Sequence, residues 1–301
     1  MQKFSAPRLH GVRIPAQPHR KERMNTMSEE QKEGKIPMPK ANFQVPANKG
    51  SHVKKMIGVV SGKGGVGKSS VTGLCALWSQ RHGYQTAIMD CDITGPSIPK
   101  MFGVTPDQVG VIQEEGKEEG TLVPAVTATG MKIMSMNLLM QDETQPVIWR
   151  GSIISGVVKQ FWTDVNWGDV DYMFVDMPPG TGDVPLTVYQ SLPLDGIIIV
   201  TTPQDLVSMI VEKAVNMAKM MNVPVLGLVE NMAYTVCPHC GEKIQIFGVS
   251  HAAEVAAKEG TTLIDTLPIN GNLTSAMDGG KMEYFDEVEI KGLEKVLPPL
   301  Q

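Results

Sequence analysis

Apolar residues fall along this chain in two rhythms, short continuous runs and stretches spaced by three and four, and the two alternate. Residues 56–60 form the first apolar run. Residues 69–81 follow with Val71, Leu74, Cys75 and Trp78 on one helical face, closed by Gly83. A second strand is predicted over 86–90, and a hairpin over 122–127 and 131–136, turned at Thr129 and Gly130. Ile153, Ile154, Val157, Val158 and Phe161 predict a helix over 152–162. Residues 172–175 predict a strand that ends in Asp176. Residues 196–201 carry the Ile-Ile-Ile-Val run expected of a strand covered on both faces. A helix over 206–221, a strand over 225–229, a helix over 251–259 and a last strand over 263–267 complete the pattern. Strands alternating with helices predict an α/β fold of three layers, a mostly parallel central sheet with helices on both faces. Residues 233–247 break the alternation and are expected to project from the sheet. Residues 1–54 read as a disordered or extended lead-in to one domain spanning 55–301, with an acidic solvated loop at 114–119.

Composition narrows the function classes. The 301 residues are 42% hydrophobic and 20% charged, which fits one large globular domain. The formal net charge of -5 gives no electrostatic reason to expect nucleic acid. No apolar run approaches a membrane span, the longest candidate being strand-sized at 197–200. Four cysteines, Cys75, Cys91, Cys237 and Cys240, are too few and scattered for a disulfide scaffold, so a reducing, cytoplasmic compartment is expected. Of the 20 methionines, Met217, Met220 and Met221 gather late in one helix and are expected to fill core. Residues 1–23 set six basic side chains against Glu22 without a secretory apolar core, and Pro7, Pro15 and Pro18 oppose a transit helix. They read as a dispensable leader, with Met24 or Met27 as alternative starts.

The chemistry concentrates at three places. Gly62, Lys63, Gly64, Gly65, Val66, Gly67, Lys68 and Ser69 match the P-loop spacing between a buried strand and a helix, with Ser70 next in line. Its glycines let backbone N–H groups curl toward phosphate oxygens, and the helix adds its positive end. Lys68 is expected at the terminal phosphates and Ser69 on magnesium. Asp90 and Asp92 follow the second strand, and Asp176 closes the strand after Tyr172 in the position of a Walker B acid near magnesium. The loop Pro178, Pro179, Gly180, Thr181, Gly182 is expected near the γ-phosphate. Asp92 is assigned to orient the attacking water, and Asp90 to the magnesium shell. Cys237-Pro-His-Cys240-Gly241 reads as either a redox dithiol or a metal knuckle.

With Lys63, the loop resembles the deviant Walker A form of the MinD, ParA and nitrogenase iron protein class of dimeric ATPases. Within that class the stretches 90–97, 176–183 and 237–240 resemble the Mrp family, also called ApbC, of iron–sulfur cluster carrier ATPases. The likeness runs from about Val53 to Gly280. It implies that Lys63 reaches the partner subunit's nucleotide, that Asn231 contacts adenine although sequence alone makes it a turn residue, and that the active protein is a homodimer. It further implies ATP, Mg2+ and a [4Fe-4S] cluster bridging two subunits. One chain offers two thiolates where zinc or a cubane cluster takes four, so Cys237 and Cys240 of both subunits would complete the site. The expected partners are cluster-scaffold proteins and apo iron–sulfur proteins, with neither nucleic acid nor membrane. Two other readings stay open: a MinD- or ParA-like spatial-positioning ATPase with structural zinc at the cysteine pair, and a nitrogenase-like reductase. The acidic end of the chain, broken by Pro298 and Pro299, speaks against a membrane-binding tail.

Overall fold

The computed structural model describes residues 44–92, 97–113, 120–140, 151–203 and 207–300, without the side chains of residues 151–153, 183 and 207. Residues 1–43, which carry the leader and most of the lead-in, the acidic loop at 114–119 and Leu206 lie outside them.

The elements run β1 (Ser51–Ser61), α1 (Lys68–Arg81), β2 (Thr86–Asp90), α2 (Ile98–Phe102), β3 (Gly110–Ile112), β4 (Thr121–Val123), β5 (Ala125–Val126), β6 (Lys132–Ser135) and α3 (Gly151–Thr163). They continue with β7 (Gly168–Asp176), α4 (Asp183–Ser191), β8 (Gly196–Thr201), α5 (Val207–Met220), β9 (Val225–Val236), β10 (Lys243–Ile244), α6 (Ala252–Lys258), β11 (Leu263–Pro268) and α7 (Gly271–Asp278). The main sheet is ordered β10-β9-β8-β1-β7-β2-β6-β5, with β11 beside β9. Its central pairs are parallel, and β5 and β10 join antiparallel at the two ends.

Two cores explain why the central strands read as unbroken apolar runs. Ile57, Val59, Phe174 and Ile198 face α1, α2 and α7, while Met56, Val60, Val175 and Ile199 face α3, α4, α5 and α6. Successive strand residues point to opposite faces, so a strand buried on both has no polar positions to alternate with. The three-layer expectation is met.

Several boundaries differ from the sequence reading. β1 begins at Ser51 rather than 56, inside the expected lead-in, and pairs in register from Ser51 with Gly168. Its polar start is paired rather than apolar: Lys54 meets Asp171 at 2.7 Å and Lys55 meets Asp195 at 3.1 Å. The stretch before it is pinned too, with the Val45 N–H donating to the Ser191 carbonyl and Trp162 Nε1 donating to the Val45 carbonyl. The expected hairpin is confined to β5 and β6, because Leu122 and Val123 pair instead with β3. β9 continues to Val236, so the segment at 233–247 leaves as a β9–β10 hairpin and Asn231 lies within a strand, not in a turn. Met217 and Met221 pack on the core, whereas Met220 is 70% exposed.

Candidate functional site

The P-loop joins the end of β1 to the first residue of α1. Gly65 and Gly67 take φ of 80° and 78°, the left-handed region that glycine enters without a Cβ penalty. Gly67 also has no room for a side chain, since a Cβ there would stand 2.2 Å from the Asn231 Nδ2. That amide donates to the Val66 carbonyl at 3.0 Å, which ties β9 to the loop. The loop after β7 folds back on the same place, its Gly180 N–H donating to the Ser61 carbonyl at 2.9 Å. A cavity of about 530 Å³ opens here, lined by Gly64, Gly65, Gly67, Lys68, Ser69 and Ser70 and closed on its far side by Asp92, Lys100, Pro179 and Asp278. Gly62 and Lys63 are half-buried, and Gly64 and Gly65 are the exposed residues of the loop.

Beneath the loop lies a charged cluster set by strand register. Asp90 ends β2 directly opposite Asp176 at the end of β7, and opposite Ser135 at the end of β6. Both aspartates are buried. Lys68 Nζ stands 2.7 Å from Asp176 Oδ1 and 3.3 Å from Asp92 Oδ2. Ser69 Oγ donates to Asp176 Oδ2 at 2.6 Å, and Thr72 Oγ1 donates to Asp176 Oδ1 at 2.7 Å. Ser135 Oγ donates to Asp90 Oδ2 at 2.9 Å, and the Asp92 N–H to Asp90 Oδ1 at 3.1 Å.

Three carboxylates against one lysine leave an excess of buried negative charge. Burial first, then the charge of Asp176, pushes the Asp90 carboxyl well above its usual range, against the pull of Lys68, Ser135 and the Asp92 N–H. Burial works to lower Lys68, but Asp176, then Asp92 and Asp90, more than offset it and its pKa is raised. The donor set is hard oxygen, hydroxyl and carboxylate, which fits magnesium. Among the described residues there is no group of three or more His, Cys, Asp or Glu forming a ready-made metal cage. Magnesium held with nucleotide takes few protein ligands and completes its shell with phosphate and water. Thr72 and Ser135, which sequence reasoning passed over, hold these two carboxylates; Thr72 stands one helical turn after Lys68, and Ser135 opposite Asp90.

Cys237 and Cys240 are at the far end of β9, at the tip of the β9–β10 hairpin. The turn is closed by the Gly241 N–H on the Cys237 carbonyl and the Cys237 N–H on the Glu242 carbonyl, each at 2.9 Å, and Gly241 takes φ of 75°. Backbone N–H groups of Cys240 and then His239 face the Cys237 sulfur and hold its thiol below the ordinary value. Cys237 is half-buried and Cys240 exposed, while Cys75 and Cys91 are buried. Val236, Ile244 and Phe247 around the hairpin are exposed apolar side chains. No helix among the described residues is long and apolar enough to cross a membrane. The end of the chain buries Met282, Phe285, Ile290 and Leu293 on the α1 side of the sheet.

Residues 52–297 match the family described as ParA, NUBPL iron-transfer P-loop NTPase. The chain is 48% identical over 246 residues to an iron-sulfur cluster carrier protein of Clostridium perfringens, covering 80% of this chain and 86% of that one. It is 42% identical over 258 residues to the iron-sulfur cluster carrier protein of Methanocaldococcus jannaschii, covering 82% and 86%. A solved nucleotide-binding protein of Archaeoglobus fulgidus in complex with ADP superposes with a TM-score of 0.70 at 39% identity, over 82% of this chain and 93% of that one. A chain of the Aquifex aeolicus MinC:MinD cell division protein complex, at 16% identity and a TM-score of 0.55 over 82% of this chain and 98% of that one, shares the fold.

Proposed function

The chain belongs to the ParA/NUBPL family of iron-transfer P-loop NTPases, and on that premise we propose that it is an ATP-hydrolysing carrier that gathers a [4Fe-4S] cluster between two copies of itself and hands it to apo-proteins. The observation that carries this reading is the Cys237–Gly241 turn, whose N–H groups favour a thiolate at Cys237 at the tip of a hairpin on the edge of the sheet. Each chain contributes two thiolates and a cubane cluster takes four, so Cys237 and Cys240 of two copies meet across a twofold axis. An exposed tip suits a cargo that must be passed on.

The nucleotide enters the cavity above the P-loop. The loop's N–H groups and the α1 N-terminus receive the phosphates, and Lys68 leaves Asp176 and Asp92 for the terminal phosphate oxygens. Ser69, Asp90 and Asp176 would hold magnesium, which would neutralise phosphate charge. Releasing Lys68 frees Asp92 to orient the attacking water, and Asn231 both keeps the loop's shape and meets the adenine. Lys63 completes the nucleotide site of the partner copy, so the dimer that closes on nucleotide is the one that assembles the cysteines. The donor of the cluster is a scaffold protein and the recipients are apo iron–sulfur proteins.

Transfer tests the reading. Protein loaded anaerobically should restore an apo-enzyme that regains activity only with its cluster, and ATP should change the rate of restoration. Restoration at the rate of free iron and sulfide would contradict carriage.

A further inference from the structure

On the opposite face of β9 from the P-loop there is a second cavity, of about 570 Å³, between α5, α6 and the segment that follows the cysteine hairpin. Glu230 lines it. The residue is 1% exposed, and neither carboxylate oxygen has a close, well-aligned hydrogen bond among the described residues. Burial dominates and raises the carboxyl above its usual range, against a loose hydrogen bond from Ser250 and then the charge of His251, which favour the charged form. Lys258, at the cavity's exposed rim, faces Glu212 at 3.8 Å and Glu259 at 3.9 Å rather than Glu230. His251 faces Glu254 at 3.2 Å. Two residues earlier on the same face stands buried Leu228, so an apolar side chain at 230 would close this core without the cost of an unpaired carboxylate.

The walls decide what would meet that carboxylate. Phe247, Val249, Ala252 and Val255 make the apolar part of the lining around buried Glu230, and the exposed side chains of His251, Glu254 and Lys258 form its charged rim. Among the described residues no set of three His, Cys, Asp or Glu gathers as a metal site. A buried acid at the floor of a partly apolar cavity matches an organic cation with a hydrocarbon stem. The volume is in the usual range for small-ligand pockets, and the cavity opens at the carboxyl ends of the strands, where ligands of open α/β sheets bind.

We propose that this cavity is a binding site for an alkylguanidinium or alkylammonium group, its charge on Glu230 and its stem against Phe247, Val249 and Val255, presented either by a small molecule or by an arginine or lysine side chain of a protein. The site does not depend on the cysteine pair. Because Glu230 and Asn231 are neighbours that face opposite sides of β9, the cation stands one peptide away from the contact that holds the P-loop.

Calorimetric titration of the full chain with n-butylguanidinium, n-butylammonium and neutral n-butylurea tests this. The two cations should saturate and bind at least about tenfold more tightly than the urea, and Glu230→Gln should remove that preference. Glu254→Gln, a change at the exposed rim, should leave the preference within about twofold. A capped peptide with one central arginine separates the sources: tighter binding than n-butylguanidinium marks a protein side chain, weaker binding marks a small molecule. Equal affinity for cation and urea, absence of saturation, or an unchanged preference in Glu230→Gln would overturn the assignment. The comparison of charged and neutral probes is made on the wild-type protein, so it stands even where the variant folds poorly.

Discussion

The Asn231 side-chain amide donates to the Val66 carbonyl, and six residues further on, just past the end of the same strand, is Cys237. One strand thus touches the phosphate loop near its middle and carries the thiols at its end. Asn231→Ala leaves the buried Val66 carbonyl without its donor, which costs about 1–3 kcal/mol. A lower melting temperature and roughly tenfold weaker nucleotide binding are expected. Melting curves with a fluorescent-nucleotide titration check both, and wild-type affinity in the variant would remove Asn231 from the loop's support.

Lys68 stands buried between Asp176 and Asp92. Lys68→Ala breaks a buried ion pair, a change worth about 3–5 kcal/mol where no proton or water compensates. Turnover should be abolished and the urea midpoint of the nucleotide-free protein lowered, with cluster binding unaffected. Hydrolysis at the wild-type rate would contradict the role given to this lysine.

Asp90 gives the opposite sign. Its folded-state pKa lies above the unfolded value, so the folded protein binds that proton more tightly. The resulting stability is full below the unfolded carboxyl range and is lost as pH rises through the folded value. Above the unfolded carboxyl range, burying this group therefore opposes folding in the absence of magnesium. Asp90→Asn, to which the Ser135 hydroxyl can turn as acceptor, should raise the melting temperature by about 2 °C or more at neutral pH, with the gain shrinking in acid. The same variant should lose magnesium-dependent turnover. A destabilised variant at neutral pH would contradict the charge balance described for this cluster.

The Cys237 thiol is held down by N–H groups of its own turn. In Cys240→Ser those N–H groups remain and Cys75 and Cys91 are buried, so Cys237 is the thiol that alkylates. Its reaction with iodoacetamide should reach half its maximal rate at a lower pH than free cysteine does. A midpoint at or above that of free cysteine would show that the turn does not favour the thiolate.

The parts of the site that rest on local spacing were legible in the sequence. The glycines of the P-loop, Lys68 and Ser69 follow one another in the chain, and Asp90 and Asp176 sit where apolar runs stop. Parts that depend on register were not legible. Nothing near Ser135 marks it as the neighbour of Asp90, because that meeting is made by β6 pairing with β2. The length of β9 was hidden because Glu230 and Asn231 end the apolar run; one points at an open cavity and the other at the loop, so neither looks like strand interior. Likewise Lys54 and Lys55, in the first half of β1, are partners of Asp171 and Asp195, pairs that become visible only when distant segments align.

The central claim is that two copies of Cys237 and Cys240 hold one cluster, and counting iron tests it most directly. After anaerobic reconstitution with iron and sulfide and removal of excess, the wild-type protein should migrate as a dimer with about four irons per two chains. The Cys237→Ala, Cys240→Ala double variant should retain none. Full iron in the double variant, or a loaded wild-type protein that remains a monomer, would contradict it.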